Sequence, residues 1–182
     1  AGIGFSGSVE CGYRTCLWSR VANRVLLPLD TFDAADPDAL YRGIQRTQWS
    51  EQLCANDSIA VDFTTTRSRI SHTLFGAQRV KDAIVDQMRD TSGVRPNVDV
   101  QNPDLRINVH LQRDQASLAI DLSGESLHRR GYRIEPGPAP LKENLAAALL
   151  LRAGWPQIAA AGGALLDPMC GSATLPIEAL MM

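Results

Sequence analysis

The stretch whose residue types and order could do chemistry is Ala164-Leu165-Leu166-Asp167 followed by Pro168-Met169-Cys170-Gly171-Ser172-Ala173-Thr174. Small side chains let a backbone come close to a ligand, and the first turn of a helix offers unpaired N–H groups to a carboxylate or phosphate. In an open α/β sheet that position is the carboxyl end of a strand, where ligands bind. An acid there can accept hydrogen bonds from a cationic amine. S-adenosylmethionine carries an amino group and a carboxylate at its methionine end, so Asp167 and the turn from Gly171 to Thr174 would meet both charges. A P-loop would need Gly-Lys-Ser/Thr and a dinucleotide fold would need three spaced glycines, and neither string is present. On composition alone, an ordinary strand-to-helix turn would look the same.

The densest basic cluster is Arg129, Arg130 and Arg133, with His128 and Tyr132 among them, in a predicted loop where side chains are free to meet phosphates. Arg67, Arg69, Arg79 and Lys81 gather around the start of a predicted helix and could extend such a surface. The competing expectation there is a solvated helix face with Asp82 and Asp86 as partners. Cys11 and Cys16 lack the spacing of a zinc pair and no second pair follows, so no metal site is expected. Cys170 has no nearby His in sequence to activate it and is expected to pack. His72, His110 and His128 stand alone in the sequence, His110 on the polar side of its strand. Trp18, Trp49 and Trp155 are expected as core or interface anchors rather than base-stacking platforms.

These residues need elements to position them. Residues 9–20 are expected to form a helix, and 24–29 a short strand near an edge, since Pro28 removes a ladder donor. Asp36 as N-cap and Pro37 at the first helical position open a second helix through Leu40 and Ile44 toward Trp49. Ile59, Val61 and Phe63 alternate with Ala60, Asp62 and Thr64, which predicts a strand with one buried face. Val80, Ala83, Ile84 and Met88 predict a helix over 75–88, stopped by Gly93 and Pro96. Leu105, Ile107, Val109 and Leu111, then Ala116, Leu118, Ile120 and Leu122, alternate on either side of Arg113-Asp114 and predict an antiparallel hairpin. Pro136, Gly137, Pro138 and Pro140 form a stiff connector, where a domain boundary is expected. Beyond it, a helix over 141–155, an apolar strand over 164–167 and a helix from about Thr174 give the opening of an α/β domain.

A chain of 182 residues is long enough for one domain or two small ones with a buried core. Hydrophobic residues at 45% and charged residues at 21% argue against disorder and against a membrane protein. The longest apolar run, 145–151, falls short of the roughly 20 residues of a membrane span. A net charge of −2 excludes a strongly basic nucleic-acid binder as a whole and leaves local clusters to decide. The cysteines, Cys11, Cys16, Cys54 and Cys170, are too scattered for a disulfide framework, so a reducing cytoplasm is expected. Ala1-Gly2-Ile3-Gly4-Phe5 reads as the middle of a folded segment rather than a natural start.

Leu166-Asp167-Pro168-Met169-Cys170-Gly171-Ser172-Ala173-Thr174-Leu175-Pro176-Ile177-Glu178-Ala179 closely resembles the first cofactor motif of methyltransferases that carry a THUMP domain. Pro140-Leu141-Lys142-Glu143-Asn144-Leu145 resembles the helix before it in that family. Leu17-Trp18-Ser19-Arg20, the run Val80 to Asp86, Arg95-Pro96-Asn97-Val98-Asp99, and Leu122 to Arg133 carry the likeness upstream, so that it covers nearly the whole chain. The nearest likeness is to the bacterial large-subunit ribosomal RNA guanine-N2 methyltransferases, often labelled adenine-specific DNA methylases. The resemblance implies an α/β chain: an α+β THUMP domain with the start of a Rossmann-like class I methyltransferase domain. It implies the end of a ferredoxin-like segment over 1–12, the RNA-binding THUMP domain over 13–133, a linker over 134–140 and the start of the methyltransferase domain over 141–182. Asp167, Pro168, Gly171, Ser172 and Thr174 would then contact S-adenosylmethionine, and ribosomal RNA of the large subunit would be the partner.

The sequence departs from the family pattern in two ways. Ala173 stands where the family usually has Gly, which would cost on the order of 1 kcal/mol if the position needs a positive φ. The Asn-Pro-Pro-Tyr-type motif that holds the target amine, and the acid for the ribose hydroxyls, are absent, so no catalytic residue is expected here and the fragment is expected to be inactive. A free-standing RNA-binding module and an adenine-N6 methyltransferase acting on DNA or RNA are the rival readings.

Overall fold

The computed structural model describes residues 2–54, 56–93, 95–133 and 140–182. In chain order the elements are α1 (Val9–Trp18), β1 (Leu26–Asp33), α2 (Pro37–Ile44), a 3-10 turn (Trp49–Glu51), β2 (Ser58–Thr66), α3 (Thr73–Ser92) and β3 (Asn97–Val98). They continue with β4 (Leu105–Gln112), β5 (Gln115–Asp121), α4 (Glu143–Arg152), α5 (Trp155–Ala160) and α6 (Thr174–Leu180). The chain forms two compact units, one of Leu26–Gly124 and one of Ala1–Val25 with Glu125–Met182.

The unit Leu26–Gly124 is a mixed sheet in the order β1-β5-β4-β2-β3 with helices packed on it. β4 and β5 form the expected antiparallel hairpin, turned by Arg113 and Asp114 at φ 51° and 62°. Two successive positive φ values match the right-handed twist of the flanking strands. β1 pairs antiparallel with β5 at the sheet edge, and its register shifts between Pro28 and Asp30, where the missing donor falls. β2 runs parallel to β4 and to β3, the short strand that alternation did not reveal because only two residues pair. Its central position buries both Ile59 and Ala60, so the simple in–out alternation holds only in part.

The core gathers Phe32, Ile59, Phe63, Ile107, Val109, Leu111 and Leu118 from the sheet against Leu40, Ile44, Val80, Ala83, Ile84 and Met88 from α2 and α3. Close approach is set by two glycines. A Cβ on Gly43 would lie 2.0 Å from the Phe32 ring, and one on Gly76 2.4 Å from the Phe63 ring, so both helices sit on aromatic faces where no side chain fits. α2 is capped as expected, Asp36 Oδ1 accepting from the Ala39 N–H at 2.7 Å. It stops at Ile44, however, and Trp49 belongs to the 3-10 turn, fully buried with Nε1 donating to the Ile44 carbonyl at 3.0 Å. α3 starts two residues before the expected 75, because His72 Nδ1 accepts from the Phe75 N–H at 3.1 Å and so caps it, and it ends at Gly93 with φ 69°.

In the unit Ala1–Val25 with Glu125–Met182, α4 lays Ala146, Ala147 and Leu150 against α6, which buries Thr174, Glu178 and Ala179. Two expectations give way. The helix over 141–155 is interrupted at Gly154, whose φ of 74° starts α5. The strand over 164–167 is not formed: strands exist by pairing, and no described segment pairs with this one, leaving Leu166 88% exposed. Of the connector over 134–140, only Pro140 lies within the described residues. Trp155 donates Nε1 to the Ala179 carbonyl at 2.9 Å, whereas Trp18 is 79% exposed and anchors no core in this unit. Among the described residues no helix is long and apolar enough to cross a membrane.

Candidate cofactor turn and RNA-facing surface

The segment 168–173 leads into α6 as a series of tight turns. Asp167 Oδ1 accepts the Met169 N–H at 3.1 Å, which orients the carboxylate at the head of the turn. Gly171 takes φ 53°, and nothing lies within 4 Å of where its Cβ would be, so the turn is open on that side. Ala173 takes φ 57° and ψ 28° as the N-cap of α6. The condition set by the sequence is therefore met: a residue with a Cβ stands in the left-handed region, at a cost of about 1 kcal/mol. Ser172 Oγ lies 3.3 Å from Thr174 Oγ1, and Cys170 is exposed rather than packed.

Thr174 is buried and already engaged, its hydroxyl accepting from Arg133 Nη2 at 2.8 Å. The same Nη2 donates to the Leu141 carbonyl at 2.7 Å and lies 3.6 Å from Glu143 Oε1. Next to it, Arg130 Nε is 2.9 Å from Glu178 Oε1, and Tyr132 donates its phenol to the same oxygen at 3.1 Å. Arg20 Nη1 stands 4.0 Å from Glu178 Oε2, and Arg130 Nη2 donates to the Arg20 carbonyl at 2.6 Å. Burial first, and then the hydrogen bond to Glu178, push the Tyr132 phenol above its ordinary value, so it stays protonated and donating.

Two members of the expected RNA-binding cluster therefore turn inward. Arg130 and Arg133 keep only 20% and 15% of their side-chain surface exposed, because the buried carboxylates of Glu178 and Glu143 claim their charge. Arg129 remains outside, 69% exposed and 4.0 Å from Glu125. The signal that was missed is the spacing of Thr174 and Glu178, four residues apart on one face of an otherwise apolar helix, which places an acid among buried groups. His128 is not alone either, since its Nδ1 lies 2.7 Å from Ser126 Oγ and 3.1 Å from Asn23 Oδ1.

The second basic group divides in the same manner. Arg79 donates to Asp38 at 2.7 Å and to the Pro37 carbonyl at 3.2 Å while lying 4.3 Å above the Tyr41 ring, and Lys81 pairs with Asp82. Arg67 and Arg69 are exposed at the rim of an open depression of about 350 Å³, lined also by Thr65, Ser68, Ser71 and Asp114. The Arg69 N–H donates to Asp114 Oδ1 at 2.7 Å, which fixes the backbone and leaves the guanidinium on the surface, 3.6 Å from Asp114 Oδ2.

Three family models match the chain: the RlmL ferredoxin-like domain over residues 1–26, the THUMP domain over 34–121, and the RMKL-like methyltransferase domain over 130–182. The sequence is 63% identical over 182 residues to the ribosomal RNA large subunit methyltransferase K/L of Methylococcus capsulatus, covering 100% of this chain and 25% of that protein. It is 57% identical over 182 residues to the protein of the same name from Syntrophotalea carbinolica, covering 100% and 26%. The chain thus spans about a quarter of the length of the curated relatives it matches. Among solved structures, a predicted N6-adenine-specific DNA methylase from Listeria monocytogenes superposes with a TM-score of 0.81 at 31% identity, covering 96% of this chain and 45% of that one. A structure described as a methyltransferase complexed with SAH superposes at 0.75 with 29% identity, covering 96% and 45%. The chain thus carries a THUMP domain between RlmL ferredoxin-like and RMKL-like methyltransferase segments, and along its whole length it is similar to part of the ribosomal RNA large subunit methyltransferases K/L.

Proposed function

We propose that this chain is the RNA-recognition part, with the first segment of the cofactor fold, of a cytoplasmic enzyme that transfers a methyl group from S-adenosylmethionine to the exocyclic N2 amine of a guanine in 23S ribosomal RNA. The observation that carries the reading is the THUMP domain followed directly by the opening of an RMKL-like methyltransferase domain, in a chain 63% identical along its length to a large-subunit ribosomal RNA methyltransferase. The residues at the turn fit the methionine end of the cofactor by their chemistry. Asp167 offers a carboxylate to an ammonium group, and the open turn at Gly171 and Ser172 offers backbone N–H groups and a hydroxyl to a carboxylate. When bound, the cofactor supplies a methyl group made electrophilic by the sulfonium.

The part of this chain is to bind and orient rather than to move a proton. RNA phosphates meet the exposed guanidiniums of Arg67, Arg69 and Arg129, with Arg79 and Lys81 on α3, paired to Asp38 and Asp82, contributing less. The full-length protein incubated with S-adenosylmethionine and unmodified 23S ribosomal RNA is expected to yield N2-methylguanosine on nucleoside mass spectrometry. The name carried by the Listeria structure favours a second reading, adenine-N6 methylation, which would give N6-methyladenosine instead. Methylation of neither base would refute both. Replacing Arg67 and Arg69 by Ala is expected to weaken RNA binding and lower the slope of log affinity against log salt by about one for each phosphate left unneutralised. An unchanged slope would remove these two from the RNA surface.

A further inference from the structure

Arg133 lies in the segment that enters the cofactor unit, and the sequence put it among the RNA-binding residues. Its surroundings give it different work. Both hydrogens of Nη2 are taken, at 2.7 Å by the Leu141 carbonyl and at 2.8 Å by Thr174 Oγ1, so Glu143 at 3.6 Å balances the charge without accepting from this nitrogen. Thr174 Oγ1 lies in turn 3.3 Å from Ser172 Oγ. A continuous polar path therefore runs from Glu143, at the start of α4, through Arg133 to Thr174 and Ser172 in the turn.

Two further features make this bond consequential. Thr174 follows Ala173, whose left-handed backbone the sequence does little to favour, so a bond that fixes Thr174 also fixes the strained corner. α6 is held again, four residues on, where buried Glu178 meets Arg130 and Tyr132, so the helix is pinned at both ends from the segment 130–133. With an exposure of 15%, the Arg133 side chain could meet a phosphate only by abandoning buried Glu143.

We infer that Arg133 is a positioning residue for the cofactor turn: by holding Thr174 and, through it, Ser172, it sets the affinity for S-adenosylmethionine without touching the cofactor or the RNA. The inference rests on the cofactor reading above. In the full-length protein, Arg133→Gln is expected to weaken S-adenosylmethionine binding by about tenfold on calorimetry, the scale of a hydrogen bond from a charged group. KM for the cofactor should rise while kcat stays close to wild type, and the salt slope of RNA binding should not move. Because Thr174→Val removes the acceptor, the double variant should bind no more weakly than the weaker single variant.

Additive losses in the double variant would overturn the inference, as would unchanged cofactor affinity in Arg133→Gln. A salt slope lowered by about one would return Arg133 to the RNA surface. Where Arg133→Gln proves unstable, Arg133→Lys carries the same comparison, since it keeps the charge beside Glu143 and loses the planar fork. A wild-type protein that binds no S-adenosylmethionine would refute the cofactor reading and this inference together, whereas wild-type binding matched by Arg133→Gln would refute the inference alone.

Discussion

The unit Leu26–Gly124 and the unit that carries the candidate cofactor turn are each held together by different physics. In the first, a five-stranded sheet and two helices bury one apolar cluster, including Trp49, Ile107 and Leu118 at 1% exposure or less. In the second, Leu165 and Leu166 are exposed, no strand forms among the described residues, and beside the small apolar contact of Ala146, Ala147 and Leu150 with α6 the segments are tied by charge: buried Glu143 and Glu178 with half-buried Arg133 and Arg130. A closed core accommodates a trimmed side chain in part by repacking, whereas a buried carboxylate left without its cation cannot be resolvated.

The largest test of this contrast is Glu178→Ala, which leaves Arg130 and Tyr132 facing an emptied, buried site. It is expected to cost about 3–5 kcal/mol and to speed hydrogen exchange in α4, α6 and 125–133 while 26–124 stays protected. Slowed or unchanged exchange in α6 would break the contrast. Ile107→Ala, in the middle of β4 and fully buried, should do the reverse at about 2–5 kcal/mol. Its loss of protection belongs in β2, β4, β5 and α3. Equal loosening of both units by either change would show that they share one cooperative transition.

A smaller effect tests the turn itself. Ala173→Gly relieves a φ of 57° and should stabilise the cofactor unit by about 1 kcal/mol, read as a higher melting temperature. A lower one would mean that the Ala side chain packs in a way that outweighs the backbone strain. The smallest effect is in the sheet unit. Hydrogen bonds from the Ser58 N–H and hydroxyl hold the Asp104 carboxyl below its ordinary value. A lowered folded-state pKa gives stability that is complete above the ordinary carboxylate value and lost as pH falls through the lowered one. Ser58→Ala should raise the Asp104 midpoint in a carbon-detected NMR titration, and an unmoved midpoint would show that the hydroxyl contributes nothing.

The sheet unit was legible because its signals are local. Alternation about Arg113-Asp114, Asp36 before Pro37, and the helical spacing of Val80 to Met88 each report a structure that neighbours in sequence decide. β3 escaped because two paired residues carry no period, and the 3-10 turn at Trp49 because the tryptophan continued the apolar spacing of α2. The turn over 168–173 was legible as a string, and the strain at Ala173 was legible with it because a left-handed corner depends on that residue alone. The fate of Arg130 and Arg133 was not, since a guanidinium chooses between a phosphate and buried partners that the fold supplies: Glu178 for Arg130, and Glu143 with the distant Thr174 hydroxyl for Arg133. Clusters of like charge in a loop mark a need for counter-charge and do not say whether it comes from within.

The most direct test of the division into an RNA-recognition unit and a cofactor unit is hydrogen exchange by mass spectrometry on the full-length protein, with S-adenosylmethionine and with 23S ribosomal RNA added separately. The cofactor is expected to slow exchange in 130–133 and 164–180, with RNA slowing it around 65–71, 113–114 and Arg129. Cofactor protection that misses 164–180, or RNA protection confined to 125–133, would contradict it.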